Sequence, residues 1–207
     1  RHVPVQASCQ TCARLLIGDT LRCGECLTRP GGPVLSACVA AVDYAYPWDG
    51  LIARVKFRDE PGLAGPMASL MLRAPGAAHV LHSAHLVVPI PVSSARLAQR
   101  GYNQAWELVK ALQHAEGAGG AQAWPDVLVR QGDIPDQHSL GKGLRERNMA
   151  NAFSVAARHT KRLRGRDVTL VDDVCTTGAT LRSAATTLIA AGARSVSAVV
   201  LARTPSS

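Results

Sequence analysis

Apolar positions follow two rules along this chain of 207 residues. In some stretches they cluster in short, mostly apolar runs; in others they recur every three or four residues. The runs at 85–92, 168–171 and 195–201 have the make-up of strands buried on both faces, as in a parallel sheet. Residues 37–46 predict another strand, and 126–130 and 152–155 two short ones. Pro89 and Pro91 stiffen the end of the 85–92 strand. Helical spacing predicts a helix over 48–57, with Leu51, Ile52 and Val55 inward and Arg54, Lys56 and Arg58 outward. A second helix is expected around 63–73. A third starts near Gln104, with Ala105, Leu108, Val109 and Leu112 on one face. A fourth places Leu181, Ala184, Ala185, Leu188 and Ile189 together before Gly192 stops it. Strands alternating with helices predict an α/β fold with a mostly parallel sheet. The other tracts are expected to be irregular: a loop at 74–84 carrying His79 and His82, a flexible Gly/Ala/Gln spacer at 117–123, an aperiodic stretch at 137–148 and a basic turn at 158–166. No internal repeat is evident.

The densest chemistry lies just after the 168–171 run. Asp172 and Asp173 come first, then Cys175, Thr176, Thr177, Gly178, Ala179 and Thr180, and then the fourth helix. Open α/β sheets bind ligands at such strand-to-helix junctions. A helix amino terminus offers unpaired N–H groups and partial positive charge, which suit a phosphate. Gly178 permits close backbone approach, and the threonine hydroxyls add donors. The acidic pair would repel that phosphate at contact distance. A ligand satisfying both halves therefore has phosphate at one end and vicinal hydroxyls, or a metal, near the other; a ribose 5-phosphate fits. The plainer alternative is an ordinary capped turn, which needs one polar residue rather than this string. A Walker-type loop is excluded, because no Gly-x-x-x-x-Gly-Lys-Ser/Thr occurs.

The stretch from Val171 to Thr180 resembles the 5-phosphoribosyl-1-pyrophosphate (PRPP) signature of the type I phosphoribosyltransferases. That resemblance implies an acidic pair on the ribose hydroxyls and a loop cradling the 5-phosphate. Upstream, Arg96, Arg100, Gly101, Asn103 and Gln104 precede the third helix and suit a second phosphate-recognising loop, or else a solvated basic turn.

Near the amino terminus, Cys9 and Cys12 are separated by ten residues from Cys23 and Cys26. Two Cys-x2-Cys pairs supply the four thiolates of a closed structural zinc site. The segment is too poor in apolar mass to fold alone, so metal would supply its folding energy. Disulfides are the alternative, disfavoured in a cytoplasmic setting. Pro30-Gly31-Gly32-Pro33 marks a linker, giving a zinc module at 1–30 and an α/β domain at 31–207. Cys38 reads as a small buried hydrophobe, and Cys175 as filler within its loop.

Composition adds less. The apolar fraction of 47% supports a real core, and no apolar run approaches the roughly 18 residues needed to span a bilayer. No membrane insertion is expected, no signal peptide is visible, and a cytoplasmic protein is the default. The net charge of +8 rests on arginine, which outnumbers lysine 19 to 4. Acidic substrates or nucleic acid are suitable partners for it, and codon usage is an equal explanation. The cations at 158–166 could likewise follow a nucleic-acid backbone, although solvated faces are commoner.

The cysteine array, residues 44–57, 88–92, 96–104 and 137–153, taken in that order, resemble the competence protein F (ComF) family. That resemblance implies an amino-terminal zinc module on a phosphoribosyltransferase-like domain, and a link to DNA uptake. Members often have a further Cys-x2-Cys pair upstream; this chain begins at Arg1 rather than Met, and missing upstream sequence would account for the difference. By the same resemblance, 137–148 corresponds to the mobile loop that closes over PRPP, with Gln137, Leu140, Arg145, Arg147 and Asn148 matching the pattern. Gly141, Gly143 and Leu144 depart from it and loosen that loop. The implied chemistry is transfer of a phosphoribosyl group to an unidentified acceptor with loss of pyrophosphate, PRPP being held with Mg²⁺. Arg96, Arg100, Arg145 and Arg147 are the expected pyrophosphate contacts, with Asn103, Gln104 and Gln137 beside them; no general base can be named. The rival expectation is a non-catalytic protein that binds PRPP or a nucleotide and engages single-stranded DNA or a helicase-like partner.

Overall fold

The computed structural model describes residues 7–16, 18, 20–57, 61–115, 120–131 and 152–205. Its centre is a five-stranded sheet in which every pairing is parallel. The strands are β1 (Cys38–Asp43), β2 (Leu86–Pro89), β3 (Gln122–Ala123), β6 (Asp167–Cys175) and β7 (Ser195–Arg203), and the spatial order is β1-β7-β6-β2-β3. A separate antiparallel pair joins β4 (Leu128–Arg130) to β5 (Phe153–Val155). The helices are α1 (Gly24–Leu27), α2 (Trp48–Phe57), α3 (Ala64–Arg73), α4 (Ala77–His82), α5 (Ser94–Arg100), α6 (Gln104–His114), α7 (Thr160–Leu163) and α8 (Ala179–Ala190).

Alternation along the strands builds two cores, one on each face. Leu86, Val88, Val168, Leu170, Val196, Ala198 and Val200 face α8, which buries Leu181, Ala184, Ala185 and Leu188 against them. Val87, Val171, Val199 and Leu201 face the other way. They meet Met67, Ala68 and Met71 of α3, Val80 and Leu81 of α4, and Leu108, Val109 and Leu112 of α6. Both faces of the central strands are thus covered, which is why their sequences are mostly apolar.

Several expectations need correction. The expected loop at 74–84 contains α4: Ala77, Val80 and Leu81 lie at helical spacing and are buried, while His79 and His82 point outward. Arg96 and Arg100 sit on α5, a helix with no buried residue, started by Ser93, whose side chain accepts the Arg96 amide. Part of the 117–123 spacer, Gln122–Ala123, is an edge strand on β2. The basic turn at 158–166 holds a 3-10 turn at Ala157–His159 and then α7, anchored by the fully buried Leu163. Ile189 is 39% exposed rather than inward, and β6 continues past Val171 to Cys175. The strand expected at 37–46 ends at Asp43.

Candidate functional site

At the carboxyl end of the sheet, β2 and β6 lie side by side, with Pro89 opposite Val171. The chain leaves β2 toward β3 and leaves β6 toward β7, on opposite sides. That divergence opens a crevice at the strand ends, the place where such sheets take ligands. Asp172 and Asp173 stand on its β6 side, both half-buried. Each carboxylate accepts the next amide in the chain: Asp172 Oδ1 from Asp173 N at 2.9 Å, and Asp173 Oδ1 from Val174 N at 2.7 Å. Regular alternation breaks here, since Val174 joins the core of Val171 and Cys175 that of Leu170. Neither acid is packed away.

Beyond them, Thr176 and Thr177 are exposed, Thr180 and Ala179 half-buried, and Cys175 and Gly178 buried. Gly178 takes φ +74° at the start of α8, a left-handed value that glycine adopts without strain. A Cβ there would also sit 3.0 Å from Arg182 Nη1. The Thr177 hydroxyl accepts the Ala179 amide at 3.3 Å, narrowing the turn. The twelve-residue α8 begins at this turn with no acidic residue in its first turn, so its amino end offers partial positive charge to an anion.

Two arginines that the sequence did not single out hold this loop from behind. Arg182 Nη1 donates to the Thr177 carbonyl at 2.8 Å, and Arg203 Nη1 to the Cys175 carbonyl at 3.0 Å. Arg203 is only 4% exposed, at the end of an apolar strand; a charge closing a buried run was the one available signal. Burial, followed by the charge of Arg29, opposes the protonated form of Arg182 and lowers its pKa. Buried surroundings raise that of the Cys175 thiol.

The β2 side is less uniform. Asn103 caps α6 by accepting the Ala105 amide at 2.9 Å, and its Nδ2 donates to the Ile90 carbonyl at 3.0 Å, fixing the turn after β2. Gln104 is buried, with Nε2 lacking a partner among the described residues. Arg96 is exposed and Arg100 half-buried. Gln137, Arg145, Arg147 and the rest of the expected closing loop lie outside the described residues.

Cys9, Cys12, Cys23 and Cys26 come together, all four sulfurs within 4.8 Å of one another, and none is in a disulfide. Cys12 and Cys23 are 3.7 Å apart, close to the ~3.8 Å that tetrahedral zinc with ~2.3 Å bonds to sulfur requires. This set could hold a zinc ion. Burial opposes ionisation of Cys9, yet hydrogen bonds from the Cys23, Thr11 and Cys12 amides bring its thiol down to about 7. Burial pushes Cys12 up to about 11. Among the described residues the apolar support is slight, with Leu16 packing on the cysteines, as expected where a metal supplies the cohesion. Cys38 is buried as a small hydrophobe, its thiol raised by burial.

The cysteine segment packs on the sheet domain: the Cys38 amide donates to Gln10 O at 2.7 Å. Glu25 bridges Arg14 at 2.8 Å and Arg29 at 2.6 Å. All three residues line a cleft whose opposite wall includes Thr177, Gly178, Arg182 and Arg203. Among the described residues, no helix is long and apolar enough to cross a membrane.

Comparison with known proteins agrees with this geometry. The phosphoribosyl transferase domain family matches residues 136–207. The DNA utilization protein YhgH of Salmonella typhimurium is 32% identical over 95% of this chain and 84% of its own length. YhgH of Escherichia coli K12 is 31% identical over the same shares. Competence protein F of Haemophilus influenzae is 30% identical over 94% of this chain and 84% of its own. A chain pairing four clustered cysteines with a parallel-sheet domain of this kind, and related to those proteins over nearly its whole length, belongs to the competence protein F (ComF) family.

Proposed function

We propose that the crevice at the β2–β6 strand ends binds PRPP, and that the protein transfers its phosphoribosyl group to an acceptor with release of pyrophosphate. The observation that supports this most is the neighbouring placement of two accessible carboxylates and an amide-lined helix start, Asp172–Asp173 and Thr176–Thr180. The carboxylates take the ribose hydroxyls as donors. Loop amides and threonine hydroxyls take the 5-phosphate. Arg96 and Arg100 lie on α5, the helix that follows β2, and with Arg145 and Arg147 of the expected closing loop they are assigned to the pyrophosphate. Mg²⁺, when bound, supplies positive charge to the pyrophosphate and ribose oxygens, and the acidic pair provides hard oxygen ligands suited to it.

In the reaction the bond from the anomeric carbon to pyrophosphate breaks and the acceptor's lone pair forms the new bond. The acceptor's proton passes to solvent. The chain's contribution is positioning and electrostatic stabilisation, which needs no covalent nucleophile. The four-cysteine cluster holds zinc in a closed structural site, and the module boundary falls at the Pro30–Pro33 linker. The names of the relatives, competence protein F and DNA utilization protein, support a role for this transfer in competence and DNA use, and we assign it to the cytoplasm.

Calorimetric titration with PRPP and Mg²⁺, followed by a pyrophosphate-release assay across nucleobase and amine acceptors, tests the reading. Saturable binding with release in the presence of one acceptor is expected. Binding without release from any acceptor would favour a non-catalytic PRPP-binding role, and absence of binding would remove the ribose-phosphate assignment.

A further inference from the structure

An anion loop works only if its amides face the ligand and its carbonyls do not. Carbonyl oxygens bear partial negative charge, and one turned toward a phosphate would cancel what an amide contributes. In this loop, the carbonyls of Cys175 and Thr177 are both tied back by guanidinium groups, from Arg203 at 3.0 Å and Arg182 at 2.8 Å. The Thr204 amide adds a second donor to Cys175 O at 3.0 Å. Arg203 is almost wholly buried, and its Nε has no partner among the described residues. A cation in that setting is costly, so packing alone does not account for it.

Gly178 fits the same arrangement. The guanidinium of Arg182 lies where a side chain at 178 would go, so the glycine and the arginine occupy one space between them. Arg14, Glu25 and Arg29 of the cysteine segment line the same cleft as Arg182, so the segment forms a charged wall against the loop.

We infer that Arg182 and Arg203 are positioning residues that hold the 5-phosphate loop in its anion-accepting form by retaining its carbonyls, with the cysteine segment as the wall that keeps Arg182 in place. Neither touches the ligand in this role. The inference rests on the ribose-phosphate reading above and adds to it.

The test uses two probes on the full chain, ribose 5-phosphate and inorganic pyrophosphate with Mg²⁺. Arg182→Ala is expected to bind ribose 5-phosphate roughly tenfold more weakly, the usual scale for losing one charge-assisted hydrogen bond, and to bind pyrophosphate as wild type does. Arg182→Lys restores most of the loss. Arg203→Met, which keeps an unbranched buried side chain but removes the donor to the Cys175 carbonyl, shows the same selective loss and serves if the Arg182 alanine variant does not fold. Equal ribose 5-phosphate affinity in a folded variant, or equal weakening toward both probes, overturns the inference alone. A wild type that binds neither probe overturns the ribose-phosphate reading, and this inference with it.

Discussion

Pro89 and Val171 are register partners in adjacent parallel strands, and the chain departs from the two strands to opposite sides of the sheet. The crevice follows from that relationship. Helix α6 returns the β2 chain on one face, and α8 returns the β6 chain on the other. Neither α6 nor α8 therefore lies across the ends of β2 and β6. The turn after β2 is fixed by Asn103, and the turn after β6 by Arg182 and Arg203. Two rigid turns diverging from one point leave a fixed gap, and a fixed gap is what positioning chemistry needs.

Replacing both acids by Asn tests the ribose side of that gap. Each carboxylate accepts the following amide through Oδ1, and an Asn side-chain oxygen preserves that bond. Asp172→Asn/Asp173→Asn should therefore keep these two local hydrogen bonds. Its affinity for PRPP with Mg²⁺ should fall by roughly 100-fold, the scale of two lost hydrogen bonds to charged groups. Calorimetry on both proteins checks this; equal affinity would remove the acids from the site.

Cys26→Ser should remove metal from the cysteine cluster. Cys26 is buried there, and among the described residues little apolar packing supports the segment without a metal. Zinc content measured after chelator exchange is expected to drop from one ion per chain to none. Hydrogen exchange should rise over 7–30 while β6 and β7 remain protected, because the sheet has cores of its own. Loss of protection throughout the sheet would show that the two parts fold as one unit.

How much of this was visible in the sequence depended on how each element is stabilised. Residues 168–171 of β6 and most of β7 were legible as strand because burial on both faces leaves a mostly apolar run, whereas the end of β6 that holds the two acids was not. Helix α2 was legible to both ends because its pattern repeats over ten residues. Helix α5 was not, since it buries nothing and leaves no periodicity to read. In α7 one buried leucine is hidden among cations, and β3 is a strand only because β2 offers it an edge. The site divides in the same way. Asp172, Asp173 and the threonines announce themselves as a contiguous string, whereas Arg182 and Arg203 act through distances that only the fold creates.

The reassigned basic segment makes a stability prediction. Leu163 is fully buried in the core shared with Leu188 and Val196, beneath a surface where Arg158 pairs with Asp126 and Arg162 lies 4.3 Å over the Trp124 ring. Leu163→Ala should cost about 2–5 kcal/mol, the range for a buried leucine whose site cannot collapse. A solvated turn would have cost almost nothing. Urea denaturation distinguishes the two.

The opposite end of the sheet supplies a pH dependence. Asp167, at the start of β6, accepts hydrogen bonds from Arg194 Nε at 2.8 Å and Ser195 Oγ at 2.7 Å. Hydrogen bonding by Arg194, above all, holds its carboxyl at about 2 despite some desolvation, with Ser195 and the nearby His85 contributing. A carboxylate with a folded pKa below its unfolded one, about 3.9, stabilises the fold above that unfolded value. The contribution is lost as pH falls from there through about 2. Asp167→Asn should therefore be less stable than wild type at pH 6, and the difference in urea midpoint should shrink steadily below pH 4. The exposed Arg194 partner makes the effect salt-sensitive, so 0.5 M NaCl should reduce the pH 6 difference. A difference that grew on acidification would mean that Asp167 is held in its protonated form in the folded chain.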